Sequence, residues 1–286
     1  DPGDMKGLFC GLKYHHDGTC AIQGIVVTTT LANAAACAWA MANQAGYANT
    51  IPIYAYQDGI PTLSNIADNY ASNVATWYGN TTPRSNFPSS TAGYSSMLNA
   101  AADGELTVIF QGFAAGANQF IQSSAGNKTL WNQKVGLMIV AAGQYPTGAA
   151  EYNFYQDSAN WTQLLANSTC CKLYSPLSFG SLGNTGVTCG NLAANQVLRR
   201  VQTAFFNGNA SGTRAFWDEA PWLNIGLGTL GWIKFSDTDI TNTVASGNGC
   251  NTWSKTAGND TAMLPVRPGS DYVNMIDGHF ANLPLA

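Results

Sequence analysis

The sequence predicts an α/β fold, a doubly wound and mostly parallel sheet with helices on both faces. Short β-branched runs alternate along the chain with Ala-rich or amphipathic stretches, which is the pattern of βαβ units. The strand-like runs are apolar throughout rather than alternately polar, as expected for strands that are covered on both sides. The 286 residues contain no internal repeat and no linker, so we expect a single domain over residues 1–286.

The stretch "AIQGIVVTTT", residues 21–30, predicts a buried strand. The Ala-rich stretch 33–46 follows and predicts a helix that ends near Gly46. Further strands are predicted at 51–56, 106–112 and 135–143, and further helices at 95–104, 157–167 and 192–208.

The stretch 192–208 is the best amphipathic helix, because its apolar residues are spaced for one helix face. Two segments rich in Gly, Asn, Ser, Thr and Pro, 79–93 and 241–260, predict long surface loops.

The composition limits the classes of partner. Charged residues make up only 10% of the chain, against about 25% in an average globular domain. A net charge of -4 with 12 Lys and Arg residues disfavours nucleic-acid and anionic-membrane partners. No apolar run approaches the roughly 20 residues needed to span a bilayer.

The seven cysteines include no CxxC pair, which disfavours a zinc ribbon or a thioredoxin-like site. Together with the low charge and several N-x-S/T sequons, they favour a secreted or extracellular, partly disulfide-bonded glycoprotein. In a chain this rich in Asn, Ser and Thr, a similar number of sequons arises by chance. The candidate glycosylation sites are Asn80, Asn127, Asn160, Asn167, Asn209 and Asn259.

Polar residues follow several of the predicted strands, where ligands bind in open parallel sheets. Asp1 and Asp4 open the chain, and Asn33 follows the strand that ends in "VVTTT". The other two clusters are Glu151 with Asn153, and Asp218 with Glu219.

These clusters, in this order, resemble motifs of the inosine-uridine-preferring nucleoside hydrolases. "DPGDMKG" is similar to the end of that family's DxDPGxDD calcium loop, "TTTLAN" to its TTxxGN turn, and "IPIYAYQDG" to its IPVYAG segment. "LTVIFQGFAAGAN" resembles the strand and LGPLTN loop, "VGLMIVAAG…AAEYNFYQD" resembles VVMGG…AEFNxxxD, and "AFWDEA" resembles the late HDP turn. The resemblance covers about residues 1–220, and "AAEYNFYQD" is its most specific part.

The resemblance implies a nucleoside-hydrolase-like fold and an N-ribohydrolase site. Asp1 would be the general base, and calcium would be held by Asp1, Asp4 and Asp218 together with a carbonyl in the 113–115 region. Asn33, Glu151 and Asn153 would bind the ribose. Apart from the resemblance, Trp217 beside Asp218 would either stack on a base or be only a packed aromatic. Calcium would hold two ribose hydroxyls and a water through oxygen ligands, and the base would remove the proton of that water.

Several positions depart from the family pattern. Met5 and Lys6 stand where two aspartates belong, and Trp217 stands where the family has a His. Two buried carboxylates without a cation repel each other. We therefore expect Lys6 to replace the ion as the local positive charge, close to Asp1 and Asp218, and no cofactor to be needed unless the calcium site is intact. The alternative is that Lys6 points to solvent.

Two functions remain open at this point. The first is a secreted protein of this fold, catalytically impaired, with a binding, structural or self-assembly role, including polymer formation. Family members carry a strand before the DPG segment, so the sheet would lack that strand, and an open sheet edge favours homo-oligomers by strand addition. The alternative is an active N-ribohydrolase that cleaves the N-glycosidic bond of ribonucleosides, with a small nucleoside as ligand.

Overall fold

The computed structural model describes residues 2–58, 69–228, 231–236, 240–256 and 258–282. Within these ranges the α-helices, numbered α1 to α12, are Pro2–His16, Ala34–Gln44, Asn69–Tyr78, Ser90–Ala100, Ala115–Ser123, Ala125–Lys134, Tyr152–Gln156, Ser158–Asn167, Leu177–Gly180, Val197–Phe205, Ala220–Leu227 and Gly269–Ala281. The strands β1 to β11 are Ile25–Val27, Ile53–Ala55, Leu106–Phe110, Val135–Val140, Cys171–Tyr174, Asn184–Thr185, Arg214–Ala215, Ile233–Phe235, Thr241–Val244, Asn251–Ser254 and Asp260–Pro265. Short 3₁₀ helices lie at Arg84–Asn86 and Val187–Asn191.

The central sheet has the strand order β3-β4-β5-β11-β8. The first four of these strands are parallel, and β8 pairs antiparallel with β11 at the far edge. Strands β1 and β2 form a separate parallel pair. The predicted α/β class with a mostly parallel sheet is therefore confirmed.

Helices cover the sheet on both faces, as predicted for a doubly wound fold. One core cluster includes buried residues of α1, α2, α10, α11 and α12, and the other includes buried residues of α4, α5, α6 and α8. Strand β4 lies between them, and its residues Met138, Ile139 and Val140 are fully buried. This explains why its sequence is apolar without alternation.

The stretch "DPGDMKG" is not a loop, which corrects the interpretation as a calcium loop. From Pro2 onward it is the first turns of α1. Proline and an acidic residue such as Asp4 are both favourable in the first turn of a helix, where N–H groups lack helical partners. The same residue types therefore suit a helix start as well as a metal loop.

The segment 241–260, predicted to be a surface loop, instead forms the antiparallel hairpin β9–β10 and the start of β11. The Asn251 side chain donates to Asn242 Oδ1 at 2.8 Å, and both residues are buried. The hairpin therefore contains polar residues whose side chains hydrogen-bond to each other. Their polar composition is what led to the prediction of a loop.

The disulfides expected from the cysteine count are not present. All seven cysteines lie within the described residues, and no disulfide joins any two of them. The number of cysteines carries no information on which sulfur atoms approach each other. The assignment of residues 1–286 to a single domain stays a prediction. None of the described helices is long and apolar enough to cross a membrane.

Candidate functional site

A cavity of about 1220 Å³ opens at the carboxyl ends of the parallel strands. Its rim there is formed by residues that directly follow strands, such as Thr28 after β1, Gln111 after β3 and Ala141 after β4. This is where parallel sheets bind ligands. The cavity is lined by five of the predicted site residues, namely Asp4, Glu151, Asn153, Trp217 and Asp218.

Asp218 is a buried carboxyl group at the rim of this cavity. It lies in the turn before α11, is 6% exposed, and its main-chain carbonyl accepts a hydrogen bond of 3.0 Å from Gln111 Nε2. Burial raises the pKa of Asp218 well above its ordinary value, and the nearby carboxylates of Asp4 and Glu219 raise it further. Asp218 is therefore harder to ionise than an exposed aspartate.

Glycine at position 7 allows α1 to approach this aspartate closely. A Cβ atom at Gly7 would lie only 2.4 Å from the main-chain oxygen of Asp218. At Gly11, one turn later, a Cβ atom would lie 2.5 Å from the ring of Trp222. Gly7 and Gly11 therefore allow α1 to lie close to the turn that carries Asp218 and to α11, which carries Trp222.

Glu151 and Asn153 are held by the start of α7. The Glu151 carboxylate accepts hydrogen bonds from the main-chain N–H groups of Gly143 at 3.2 Å, Asn153 at 3.0 Å and Phe154 at 3.3 Å. Burial nevertheless raises the pKa of Glu151 to about 7. Asn153 donates through Nδ2 to the Ala141 carbonyl at 2.8 Å. Both side chains are fixed by the backbone, as expected of groups that orient a ligand.

Lys6 is fully buried, so the alternative in which it points to solvent is wrong. Its Nζ atom lies 2.9 Å from Glu219 Oε1 and donates to Thr185 Oγ1 at 2.8 Å. The Thr185 hydroxyl in turn donates to Glu219 Oε1 at 2.5 Å. The direct partner of Lys6 is therefore Glu219, not the neighbouring Asp218 that the sequence suggested.

Three further residues at the cavity were not predicted from the sequence, namely Gln111, Tyr152 and Arg214. The pKa of Tyr152 is raised by partial burial and by the charge of Asp4, while Arg214 lowers it. The Arg214 guanidinium lies 5.3 Å from the centre of the Trp217 ring, within cation–π range. The only signal for Arg214 in the sequence is its position four residues before Asp218.

Trp217 itself lines the cavity and is anchored by its indole nitrogen, which donates to Ser181 Oγ at 2.9 Å. This position is compatible with stacking on a flat ligand, and its role in base binding stays a prediction.

Among the described residues, the predicted ribose-binding Asn33 does not line this cavity. Asn33 precedes α2 and donates through Nδ2 to Ser72 Oγ at 3.0 Å. Asp1 lies outside the described residues. In the 113–115 region, Phe113 lines the cavity, while the Ala115 N–H donates to Asp157 Oδ2 at 2.8 Å.

The described residues do not by themselves fit a calcium ion. Among them, no group of three or more His, Cys, Asp or Glu side chains is arranged to hold a metal. Calcium takes about six to eight oxygen ligands, and the ammonium of Lys6 is a donor without a lone pair. The proposed ligand set of Asp1, Asp4 and Asp218 stays a prediction, because Asp1 is not described.

The six predicted glycosylation sites differ in exposure. Asn209 and Asn259 are exposed, and the other four are half-buried. Asn160 uses its Nδ2 atom, which a glycan would modify, to donate to Asp157 Oδ1 at 2.6 Å within α8. Asn209 and Asn259 are therefore the most accessible candidates.

Comparison with known proteins relates the chain to one group of solved structures. No protein-family model matches the chain, and no curated protein matches it. A plant nucleoside hydrolase superposes with a TM-score of 0.68 at 14% identity, over 98% of this chain and 95% of that one. The inosine-uridine-preferring nucleoside hydrolase of Bacillus anthracis gives a TM-score of 0.66 at 12% identity, over 97% and 96% of the two chains.

A third similar structure is the type III effector protein XopQ complexed with adenosine diphosphate ribose. Its TM-score is 0.67 at 11% identity, over 98% of this chain and 88% of that chain. These superpositions extend over nearly the whole chain, well beyond residue 220, where the sequence resemblance ends. The chain therefore has the fold of the nucleoside hydrolases.

Proposed function

We propose that this protein is a nucleoside-hydrolase-fold protein with an impaired hydrolytic centre, which acts by binding or as a structural component. The observation that carries the proposal is the fully buried Lys6–Glu219 ion pair, with an N–O distance of 2.9 Å, next to Asp218. An ammonium in this position offsets the charge of the carboxylates. It cannot hold two sugar hydroxyls and a water, as an ion with six or more coordination positions can.

The charge state of the cavity supports this proposal. Hydrolysis of an N-glycosidic bond develops positive charge on the sugar, and a water must lose a proton. Burial raises the pKa values of Asp218 and Glu151, so these carboxyl groups carry less negative charge to stabilise a positively charged sugar than exposed carboxylates would. Neutral carboxyl groups can still hydrogen-bond sugar hydroxyls, so ligand binding is compatible with poor turnover.

A similar structure supports a role other than hydrolysis. One of the proteins that share this fold is described as an effector, complexed with adenosine diphosphate ribose. The fold therefore occurs in a protein that is described as an effector rather than as a hydrolase. By analogy, compounds that contain ribose are a candidate ligand class for the cavity of this chain.

An active N-ribohydrolase is the alternative function. It is favoured by the convergence of Glu151, Asn153, Trp217 and Asp218 on one cavity, and by the hydrolase names of two similar structures. In that case Asp1 would act as general base, with calcium completing the site.

Release of free base from inosine and uridine, with added calcium and with a chelator, distinguishes these two functions. We expect no release above that of an Asp218→Asn variant, and binding of a nucleoside that calorimetry detects in both proteins. Release that both the chelator and Asp218→Asn abolish would refute the impaired-centre proposal and establish the hydrolase.

Secretion, glycosylation and self-assembly stay predictions. Intact mass before and after deglycosylation tests the sequons, with Asn209 and Asn259 as the first positions to inspect. Native mass over a range of protein concentrations tests assembly through a sheet edge.

A further inference from the structure

One side chain at the cavity connects the end of β3 to the turn that carries Asp218 and to the helix that follows this turn. Gln111 directly follows β3, lines the cavity and is half-buried. Its Nε2 atom donates to the main-chain carbonyl of Asp218 at 3.0 Å. Its Oε1 atom accepts a hydrogen bond of 3.3 Å from Nε1 of Trp222, in the first turn of α11. We call these two hydrogen bonds the Gln111 bridge.

The two partners fix the orientation of the Gln111 amide. An indole N–H group only donates and a main-chain carbonyl only accepts, so the side chain between them must accept at one end and donate at the other. A neutral amide does both within one plane. An ionised glutamate could accept from Trp222 but could not donate to Asp218, and an apolar side chain could do neither.

Helix α1 packs directly over the Gln111 bridge. A Cβ atom at Gly7 would overlap Gln111 Nε2, and a Cβ atom at Gly11 would overlap the ring of Trp222. The backbone of α1 therefore covers the donor and the indole that form the bridge. Hydrogen bonds are electrostatically stronger where water is excluded, so this packing favours a well-defined bridge.

The same turn has a second attachment, at the next residue. Glu219 forms the buried ion pair with Lys6 of α1. The turn is therefore tied to the end of β3 through the main chain of Asp218, and to α1 through the side chain of Glu219. With both attachments in place, the Asp218 carboxyl group has a defined position at the cavity.

The other two groups at this end of the cavity are fixed in a different way. Glu151 and Asn153 are held by hydrogen bonds of their own side chains to the main chain. The bond that Gln111 makes to Asp218 instead reaches the main-chain carbonyl and leaves the carboxyl group to interact with a ligand. Small errors in the position of such a group weaken its interaction strongly.

We propose that Gln111 is a positioning residue of the ligand site. By joining Trp222 to the Asp218 carbonyl, it places the Asp218 carboxyl group for a hydrogen bond to a hydroxyl group of a ribose-containing ligand. This inference rests on the proposed function, because it requires a ligand of that class in the cavity. Gln111 acts through Asp218 rather than on the ligand directly.

Gln44, the last residue of α2, offers a matched control. Its Nε2 atom donates to the main-chain carbonyl of Asn195 at 2.7 Å, and its Oε1 atom accepts from the Val197 N–H at 2.6 Å. Gln44 is buried and is not among the residues that line the cavity. A change of Gln44→Met therefore breaks the same kinds of hydrogen bond at a place that does not position the ligand.

The experiment measures the affinity of the full chain for inosine, uridine and adenosine diphosphate ribose by calorimetry, and the tightest ligand is then used for the variants. We expect Gln111→Met to weaken binding by about tenfold, as for the loss of one hydrogen bond. Gln44→Met should bind as the unmodified protein does, although urea denaturation should show a loss of stability in both variants. Equal weakening by Gln44→Met would reduce the role of Gln111 to general stability and refute the proposal.

A double-mutant cycle tests whether Gln111 acts through Asp218. In an Asp218→Ala background, Gln111→Met should change the affinity by no more than about twofold, because the group that Gln111 positions has been removed. A tenfold loss in both backgrounds would show that Gln111 contacts the ligand itself, and would overturn the positioning role.

Gln111→Glu is a second variant that keeps the test decisive if Gln111→Met does not fold. It retains the acceptor for Trp222 and loses the donor for Asp218. The Trp222 indole N–H resonance, assigned with Trp222→Phe, should stay in place in Gln111→Glu and shift in Gln111→Met, whereas affinity should fall in both. An unchanged affinity of Gln111→Glu would refute the role of the bond to Asp218.

Failure of this inference and failure of the proposed function give different results. If the unmodified protein binds a ligand and Gln111→Met binds it equally well, the inference is wrong and the proposed function stands. If the unmodified protein binds none of the three ligands, the proposed function is wrong, and the positioning role falls with it.

Amide hydrogen exchange tests the bridge itself without a ligand. The N–H groups of Ala220 and Trp222 bond within the segment 216–222. They should exchange about tenfold faster in Gln111→Met than in Gln44→Met, because the bridge no longer opposes local opening of the turn. Equal exchange in the two variants would show that Gln111 does not hold the Asp218 turn, and would refute the proposal whether or not a ligand binds.

Discussion

Two lysine–carboxylate pairs are buried in the part of the chain that the structure describes. Lys6 and Glu219 meet at 2.9 Å, next in sequence to the cavity residue Asp218, and both side chains are fully buried. Lys172 and Asp260 meet at 3.4 Å at the amino ends of β5 and β11, with side chains 10% and 5% exposed. The second pair does not line the cavity and lies at the amino ends of its strands, so a buried lysine–carboxylate pair alone does not indicate a functional site.

The difference between the pairs lies in what surrounds them. Lys172 and Asp260 are register partners on adjacent strands, and Asp260 also accepts the Asn242 N–H at 2.7 Å. Lys6 instead joins α1 to the turn that carries Asp218. The Lys6 pair therefore holds α1 against a turn that lines the cavity, whereas the Lys172 pair joins two strands.

The largest expected effect is that of Lys6→Met. Removing the ammonium leaves Glu219 charged and buried without its partner, and we expect a loss of about 3–5 kcal/mol in the free energy of unfolding, measured by urea denaturation. The double variant Lys6→Met with Glu219→Leu removes both charges and should recover most of this loss. A double variant as unstable as Lys6→Met would contradict the ion-pair interpretation.

A smaller effect is expected for Lys172→Met, about 1–3 kcal/mol, in the same denaturation experiment. Asp260 keeps its main-chain hydrogen bond and some access to water, so the remaining carboxylate is less unfavourable. Binding of a nucleoside should be unchanged, because this pair lies at the other end of the sheet. A loss as large as that of Lys6→Met would mean that depth of burial does not separate the two pairs.

The smallest effect is expected for Lys13→Ala, which removes an ion pair near the end of α1. Lys13 and Asp17 are 2.5 Å apart, and the Asp17 side chain is 38% exposed. We expect a loss of about 0.3–0.5 kcal/mol that decreases at high salt, because water and ions screen the pair. A loss above that of Lys172→Met, at any salt concentration, would refute the ranking of the three pairs by burial.

Much of the fold could be predicted from the sequence, because it depends on local patterns. The apolar runs at β3 and β4 and the amphipathic spacing of α10 identify their elements without tertiary information. The order of the strands in the sheet could not be predicted, because no local pattern indicates which strands are neighbours. The sequence therefore did not predict that β1 and β2 form a pair separate from the central sheet.

The site was predictable where side chains follow strands. Glu151, Asn153 and Asp218 lie at one cavity because the carboxyl ends of parallel strands meet there. The sequence could not tell that Glu219, rather than Asp218, faces Lys6, since adjacent residues differ only in direction. Gln111 and Arg214 were not predicted, although Gln111 directly follows β3 and Arg214 lies four residues before Asp218.

The close approach of α1 to Asp218 and Trp222 has a consequence for engineering. Alanine is a better helix former than glycine by about 1 kcal/mol, so Gly7 and Gly11 would be the natural first targets for stiffening this helix. Here a methyl group at either position would collide with its neighbour and displace the helix from the aspartate turn. In this protein, replacing either glycine to strengthen α1 would be expected to disturb the cavity rim that Asp218 and Trp222 help to form.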